Sequence, residues 1–259
     1  EMRDDATAAG KGFAVSGGIV TADPSHSALP LLRRDIRLKE KAPVARARLY
    51  ITARGIYECH IDGRRVGEDW FQPGASQYDR HLYYQTYDIT EQAQAGAFGI
   101  GVVLASGWWS DSQTFTVKNH NYFGDRPSFL AKIAVTYEDG SAQSFVSDTE
   151  NWQCSTEGPV RYASFFHGEH VDARLTEAFA EFSRLGFAEG SFGEPLEITP
   201  AEIRTEQGAF RMWPDPNGTE PDILGQPDRP IRAIGERTAL SVQEVRPGVF
   251  LYDMGQNMV

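Results

Sequence analysis

Two strands of the fold are predicted by residues 46–66, which read RARLYITARGIYECHIDGRRV. Apolar residues alternate with polar or charged ones on both sides of Gly55: Leu49, Ile51, Ala53, Tyr57, Cys59 and Ile61. A period of two is typical of half-buried β-strands. The second strand stops at Asp62-Gly63, which favours a two-residue hairpin because both central positions of a type I′ turn need positive φ. Arg64–Val66 then begins the return strand.

Similar short strands recur along the rest of the chain. The pattern predicts them at Leu82–Asp88, Gly99–Ala105, Phe129–Tyr137, Gln143–Ser147, Ile231–Glu236, Leu240–Val245 and Val249–Tyr252. Asp139-Gly140 and Pro247-Gly248 supply turns between neighbouring strands. Helical spacing is confined to Thr90–Ala95 and Arg174–Leu185. Strands of this length and frequency predict a mainly β fold, an antiparallel β-sandwich or jelly roll, followed by the start of a second β-sandwich.

Proline density marks the division between the two parts. Trp213–Pro230 holds five prolines, and we expect this stretch to form a loop or linker without regular structure. We therefore predict a lead segment at 1–28, a sandwich at 29–195, and a Pro-rich connection with the first strands of a second sandwich at 196–259. The strand pattern runs on to Val259, which predicts that the sequence is part of a longer protein.

Composition excludes several functional classes. The 259 residues include 25 basic and 36 acidic side chains, for a net charge of −11, and the basic residues are scattered. Nucleic-acid binding needs clustered Lys and Arg, so neutral or polar small ligands fit better. No apolar run approaches the roughly 18 to 20 residues of a membrane span. Cys59 and Cys154 are expected to be small buried residues, with a disulfide as the alternative.

No catalytic motif stands out, and the more informative feature is a pair of aromatic and amide-rich loops. The sequence lacks a Gly-x-Ser-x-Gly elbow, a GxGxxG loop and an HExxH metal motif. His167-Gly168-Glu169-His170 has too few ligands for a metal site, and we expect loop hydrogen bonding there. Sugars bind by stacking on an aromatic face and by forked polar contacts to hydroxyls.

Those two requirements are met by the loops around residues 106–111 and 118–126. Trp108 and Trp109 are the candidate stacking rings, and Asn121 and Asp125 are the candidate polar contacts. The alternative is that the tryptophans fill the core while the polar residues cap loops.

The sequence also resembles the N-terminal, non-catalytic region of the bacterial α-L-rhamnosidases, which are inverting glycoside hydrolases. The similar motifs occur in the same order over roughly 29–259: Ala47–Glu58, Asp62-Gly63, Pro73-Gly74, Tyr84–Asp88, Gly107–Trp109, Tyr122–Arg126, His167–Arg174 and Tyr252–Asn257. The resemblance implies a galactose-binding-like β-sandwich ahead of a catalytic (α/α)₆ barrel. The barrel and its glutamate acid and base are absent from these 259 residues, so we expect no glycoside hydrolysis by this chain alone.

The resemblance implies two roles, which are support of the catalytic barrel and binding of L-rhamnose or rhamnosides. In some members the sandwich holds the sugar through calcium, a role that by position falls to Asp79 and Asn121, although Arg80 departs from an all-oxygen site. We expect no required cofactor, with Ca²⁺ as the alternative. The remainder of the rhamnosidase chain is the other expected partner. Two further interpretations are a purely structural domain without a ligand and a free-standing carbohydrate-binding module.

Overall fold

The computed structural model describes the residues 13–16, 19–22, 28–39, 42–78, 80–111, 123–124, 126–188, 190–195 and 221–257. Its strands are β1 (Phe13–Ser16), β2 (Ile19–Ala22), β3 (Leu31–Arg37), β4 (Val44–Arg54), β5 (Ile56–Ile61), β6 (Arg64–Arg65), β7 (Asp69–Trp70), β8 (His81–Asp88), β9 (Ala97–Ala105), β10 (Ser128–Tyr137), β11 (Ala142–Val146), β12 (Gln153–Ser155), β13 (Val160–Ser164), β14 (Gly168–Val171), β15 (Asp222–Gly225), β16 (Ile231–Arg232), β17 (Ser241–Arg246) and β18 (Val249–Asp253). Its short helices are α1 (Thr90–Ala93), α2 (Gly107–Ser110), a 3₁₀ turn (Ala173–Leu175) and α3 (Thr176–Phe179).

Two five-stranded sheets form the body of the molecule. One has the order β11-β10-β4-β8-β15 and the other the order β12-β3-β9-β5-β6. Pairing within both sheets is antiparallel except for β15, which runs parallel to β8. Four two-stranded pairs complete the described part: β1-β2, β7-β16, β13-β14 and β17-β18. The predicted mainly β, antiparallel sandwich is confirmed.

The core lies between the two sheets and is built from their alternating residues. The six alternating residues from Leu49 to Ile61 are buried there, together with Ile100, Val102, Ile133 and Val135 from β9 and β10. Thr52 is also buried, and its hydroxyl donates to the carbonyl oxygen of Tyr83 over 2.6 Å. The predicted alternation of β4 and β5 is therefore confirmed, and a hydrogen bond accounts for the buried polar residue.

The predicted Asp62-Gly63 turn is confirmed by φ angles of 46° and 82°. The turn also anchors other parts of the fold, because the Asp62 carboxylate accepts hydrogen bonds from the backbone N–H groups of Gly99 and Leu185, each over 2.9 Å. A short local motif thereby holds β9 and the chain after α3 in place.

The predicted helix at Arg174–Leu185 is wrong in extent. The structure has the 3₁₀ turn and one turn of α-helix, which ends at Phe179, and the next residues form successive turns. After Phe179 the backbone N–H groups bond three residues back, Phe182 to Phe179 and Arg184 to Glu181, so the chain continues as tight turns. Buried Arg33 holds these turns, since its Nε donates to the carbonyl oxygen of Phe182 over 3.0 Å and its Nη2 to that of Arg184 over 3.1 Å.

The Pro-rich stretch was expected to lack regular structure, and its described part contradicts this. Strand β15 lies between Pro221 and Pro227 and pairs with β8 at the edge of the sheet. Proline is tolerated beside an edge strand because only one side of such a strand needs its N–H groups. Residues 213–220 lie outside the described part of the chain.

We predict that Gly99→Ala lowers the free energy of unfolding by about 1–3 kcal/mol, the usual cost of overpacking. A Cβ at Gly99 would overlap the backbone of Ser183 and Arg184, which cannot swing aside as a long side chain would. The matched control is Gly235→Ala, because a Cβ at Gly235 meets open space. Urea denaturation of both variants tests this expectation, and equal stabilities would contradict it.

Candidate functional site

The adjacent tryptophans predicted to bind a ligand lie on α2, directly after β9. Gly107 starts this helical turn with a φ of 50° and approaches the Ile56 side chain, which a Cβ would contact at 2.5 Å. The turn is closed by backbone hydrogen bonds from Trp109 and Ser110 to the carbonyl oxygen of Ser106. Successive residues of one short turn face different directions, so the two indoles are buried to different degrees: Trp109 lies inside a cluster with Tyr78 and Leu82, and Trp108 packs against it from outside.

Trp109 is buried, and it connects α2 to the neighbouring loops at this end of the sandwich through packing and one hydrogen bond. Its side chain is 1% exposed, packs against Leu82, and meets the Tyr78 ring edge to face at 5.4 Å. Its indole Nε1 donates to the carbonyl oxygen of Arg126 over 3.0 Å. Gly124 passes so close to the ring that a Cβ there would overlap it. Trp109 is therefore part of the packed interior at this end of the sandwich.

Trp108 is half-buried and begins a line of neighbouring rings. The centroids of Trp108 and Phe165 are 4.6 Å apart, those of Phe165 and Phe71 are 5.4 Å apart, and those of Phe71 and Trp70 are 6.5 Å apart. We call Trp108, Phe165, Phe71 and Trp70 the aromatic row. The last three are 40–43% exposed, which is high for such large apolar side chains.

Three separate loops bring the aromatic row together. Phe71 follows β7 with a φ of 57°, and Phe165 lies in the turn between β13 and β14. The backbone N–H of Phe165 donates to the Asp111 carboxylate over 3.0 Å, which joins the β13-β14 turn to the residues after α2. The sequence analysis missed Phe165, Phe71 and Trp70. The sequence feature that could have pointed to them is the occurrence of two adjacent aromatic pairs, Trp70-Phe71 and Phe165-Phe166, beside turn residues.

Two buried polar atoms belong to the same loops. The Gln72 side-chain oxygen Oε1 and the Ser110 hydroxyl Oγ have no hydrogen-bond partner within the described part of the chain, although Gln72 is only 2% exposed and Ser110 6%. Buried polar atoms normally have a partner, and those that lack one call for an explanation. Both atoms are closed off from solvent, so neither is open to a ligand in this structure.

The remaining predicted site residues lie elsewhere or outside the described chain. Asn121, Asp125 and Asp79 are among the residues that the structure does not describe. Within the residues it does describe, no group of three or more His, Cys, Asp or Glu side chains is arranged to hold a metal ion. His167 lies in the turn before the exposed strand β14 and Gly168–His170 lie in the strand, so three of these four residues are in a strand and not in the expected loop.

Cys59 and Cys154 are both free thiols. Cys59 is buried as expected, whereas Cys154 is only half-buried. Burial raises the pKa of the Cys59 thiol far above its usual range.

Among the described residues, no helix has the length and apolar character needed to cross a membrane.

We predict that the protein loses stability as the pH rises above about 10, the ordinary pKa of tyrosine. Burial raises the pKa of Tyr78, next to Trp109, and raises the pKa of Tyr87 to about 12. Between those values the unfolded chain loses tyrosine protons that the folded chain keeps, so unfolding is favoured. In thermal melts from pH 9 to 12, the midpoint temperature of unfolding should fall as the pH rises. It should fall less steeply in Tyr87→Phe than in the parent protein. An unchanged midpoint in the parent would contradict this.

Most of the chain is similar in sequence to known proteins of one family. A family model for the "Alpha-L-rhamnosidase N-terminal domain" matches residues 42–204. The α-L-rhamnosidase of Streptomyces avermitilis is 35% identical over 240 residues, which cover 91% of this chain and 21% of that protein. One from Formosa agariphila is 38% identical over 132 residues, covering 51% and 14%. The chain thus spans about a fifth or less of the length of these curated relatives.

Solved structures show the same relationship. The crystal structure of the Streptomyces avermitilis α-L-rhamnosidase complexed with L-rhamnose matches with a TM-score of 0.73 and 33% identity, over 96% of this chain and 22% of that one. The native enzyme from Aspergillus terreus matches with a TM-score of 0.73 and 27% identity, over 89% and 24%. Both matches cover nearly all of this chain and a small part of the other.

Proposed function

The chain belongs to the family of α-L-rhamnosidase N-terminal domains, and from this premise we propose that it binds L-rhamnose at Trp108 and supports the rest of an α-L-rhamnosidase. The observation that carries the binding role is the aromatic row at the loop end of the sandwich, which begins at Trp108. The related Streptomyces avermitilis enzyme was solved as a complex with L-rhamnose. That complex makes this sugar the first ligand to test.

The chemistry of rhamnose suits this surface. The sugar has a methyl group at C6 and carries no charge, so one of its faces can stack on an indole without bringing a charge to a protein with a net charge of −11. The Ser110 hydroxyl on the same helical turn is closed off from solvent, so the exposed part of the Trp108 ring has to supply the contact. One stacking ring with few hydrogen bonds predicts weak binding, near a millimolar Kd or about −4 kcal/mol.

Isothermal titration with L-rhamnose tests the binding role. Trp108→Ala should weaken binding about tenfold or more, because the stacked ring is worth roughly 1–3 kcal/mol. Phe250→Ala is the control, since it removes an exposed aromatic ring from β18, away from the aromatic row, and should leave the Kd unchanged. Equal affinities of the parent and Trp108→Ala, or no binding by the parent at about 20 mM sugar, would contradict the assignment.

Calcium enters through the resemblance alone. The residues it points to, Asp79 and Asn121, lie outside the described chain, and the described residues offer no cluster of metal ligands. The titration should therefore be run both with Ca²⁺ and with EDTA. A loss of affinity in EDTA would show that the ion takes part in binding, and an unchanged affinity would remove it from the site.

The supporting role rests on a different surface, the hairpin of β17 and β18. Its side chains are exposed on both faces, and several are large and apolar: Val242, Val245, Val249, Phe250, Leu251 and Tyr252. Exposed apolar surface of this extent marks an interaction site. Because the curated relatives are several times longer than this chain, we propose that further rhamnosidase polypeptide covers the hairpin. That residues 196–259 lead into a second sandwich stays a prediction.

We predict that backbone amides of Ser241–Asp253 exchange with solvent faster than those of Val44–Arg54. Strands β17 and β18 pair only with each other within the described chain, whereas β4 is paired on both sides in a buried sheet. A hairpin without a packed face opens at low free-energy cost. Hydrogen exchange of the 259-residue protein, followed by mass spectrometry, measures both segments. Equal or stronger protection of the hairpin would refute the prediction.

A further inference from the structure

We propose that the outer edge of β15 pairs with the same strand of a second copy of this chain. The contact is antiparallel and joins two sandwiches through their sheets β11-β10-β4-β8-β15, in which β15 is the last strand. It uses none of the residues of the proposed rhamnose site, so the two proposals stand or fall separately.

One side of β15 is bonded to the sheet and the other side is open. The N–H groups of Asp222 and Gln226 donate to carbonyl oxygens of β8 and of the residue before it, over 2.9 and 3.1 Å. Alternate residues of a strand direct their N–H and C=O groups to opposite sides, so those of Ile223 and Gly225 point away from β8. Within the described chain, no strand pairs with that side. An open edge of this kind is a template for another strand.

The sequence of this edge is nearly symmetrical about Leu224. It reads Pro221-Asp222-Ile223-Leu224-Gly225-Gln226-Pro227. When two copies run antiparallel about a two-fold axis at Leu224, Ile223 lies opposite the partner's Gly225, and the outward groups of this pair exchange both N–H···O bonds. The axis generates the same pair a second time. Two-fold dimers require a surface that is complementary to itself, and this edge has that property.

The prolines at the two ends fix the register of the pairing. At the two-fold register Pro221 lies opposite the partner's Pro227, and neither has an N–H group to continue the ladder. Sliding one copy by two residues would place a proline opposite Ile223 or Gly225 and would remove a hydrogen bond. The symmetrical register is therefore the one that satisfies every outward backbone group between the prolines.

The side chains also complement one another in this register. Leu224 is 46% exposed and meets the partner's Leu224 at the axis, while Ile223 lies beside a glycine that leaves room for it. Asp222 lies opposite the partner's Gln226. The Gln226 Oε1 atom accepts from Gln85 Nε2 over 3.0 Å, which leaves its own amide nitrogen to donate to the carboxylate. The two Asp222 carboxylates lie at opposite ends of the contact, so like charges do not face each other.

A contact of this size predicts a weak dimer. Interfaces that bury less than about 1,200 Å² are typical of transient pairs, and we expect a dissociation constant of about 0.1 mM. Each copy has a net charge of −11, which opposes association at low salt. The measurement therefore belongs at about 0.15 M NaCl, where charges more than about 8 Å apart are largely screened.

Sedimentation equilibrium of the 259-residue protein tests the dimer. The parent should be mainly monomeric at about 50 µM and mainly dimeric at about 1 mM. Leu224→Lys places two ammonium groups across the axis and should raise the dissociation constant about tenfold or more. Ile234→Lys is the matched control, because it puts the same charge on a fully exposed residue outside β15 and should leave association unchanged. A monomeric parent at about 1 mM, or equal association of Leu224→Lys and the parent, would overturn the proposal.

Amide exchange measured by nuclear magnetic resonance locates the contact. The N–H groups of Ile223 and Gly225 face solvent in the monomer and carbonyl oxygens in the dimer, so both should exchange about threefold more slowly at about 1 mM than at about 50 µM. Amides of the β17-β18 hairpin should exchange at the same rate at both concentrations. A dimer in which Ile223 and Gly225 exchange no more slowly is joined by another surface, and that result also overturns the proposal.

Discussion

Replacing Trp109 with alanine is expected to lower the free energy of unfolding by about 3–5 kcal/mol, the usual cost of deleting a large buried aromatic side chain. The indole is fully buried between Tyr78 and Leu82, and it stacks on Phe123 with ring centroids 6.3 Å apart. Its removal leaves a cavity and takes the Nε1 donor away from the carbonyl oxygen of Arg126. Urea denaturation at fixed temperature measures the loss.

Trp108→Ala is the matched comparison, because it removes the same side chain one residue earlier. Trp108 is only half-buried, so its loss should cost much less stability than that of Trp109 while removing ligand binding. A smaller stability loss in Trp109→Ala than in Trp108→Ala would reverse the roles assigned to the two rings.

The second large effect is expected at Arg33, where alanine should cost about 3–5 kcal/mol because the other half of a buried polar network loses its partner. The Arg33 side chain is 6% exposed, and it joins Asp35 and Gln153 to the carbonyl oxygens of Phe182 and Arg184. Without the guanidinium, the carbonyl oxygens of Phe182 and Arg184 lose a hydrogen-bond donor and the Asp35 carboxylate loses its ion-pair partner. Chemical denaturation measures the change in free energy of unfolding.

Arg48→Ala provides the control for Arg33→Ala. Arg48 also forms an ion pair, with Asp88 over 3.8 Å, but both side chains are well exposed. Exposed pairs contribute about 0–1 kcal/mol. A comparable loss from the two variants would show that charge alone, and not the buried hydrogen bonds to the turns after α3, accounts for the effect of Arg33.

Features encoded within a few neighbouring residues could be predicted from the sequence. The alternation of β4 and β5 and the positive φ angles at Asp62-Gly63 depend on local pattern and turn chemistry, and both are confirmed. The turns that replace the second half of the predicted helix are held by Arg33, which lies about 150 residues earlier. Strand β15 likewise depends on the free edge of β8. Contacts between distant residues leave no periodic signal.

The sequence likewise predicts only the part of the candidate site that is encoded by neighbouring residues. The Trp108-Trp109 pair was found because two adjacent indoles in a loop are conspicuous, and the sequence could not say which of them is buried. That distinction comes from Tyr78, Leu82 and Gly124, which pack around Trp109 from other loops. Phe71 and Phe165 were missed because each is an ordinary loop residue until the fold brings the two rings within 5.4 Å.

Binding of L-rhamnose at Trp108 is the central claim, and its most direct test is a nuclear magnetic resonance titration that follows the indole N–H signals of the five tryptophans. Each signal can be assigned by a single Trp→Phe variant. Millimolar L-rhamnose should shift the Trp108 signal progressively and saturably while leaving that of Trp152, buried in the main core, in place. Saturable shifts confined to other tryptophans, or no shift in any indole signal, would contradict the assignment.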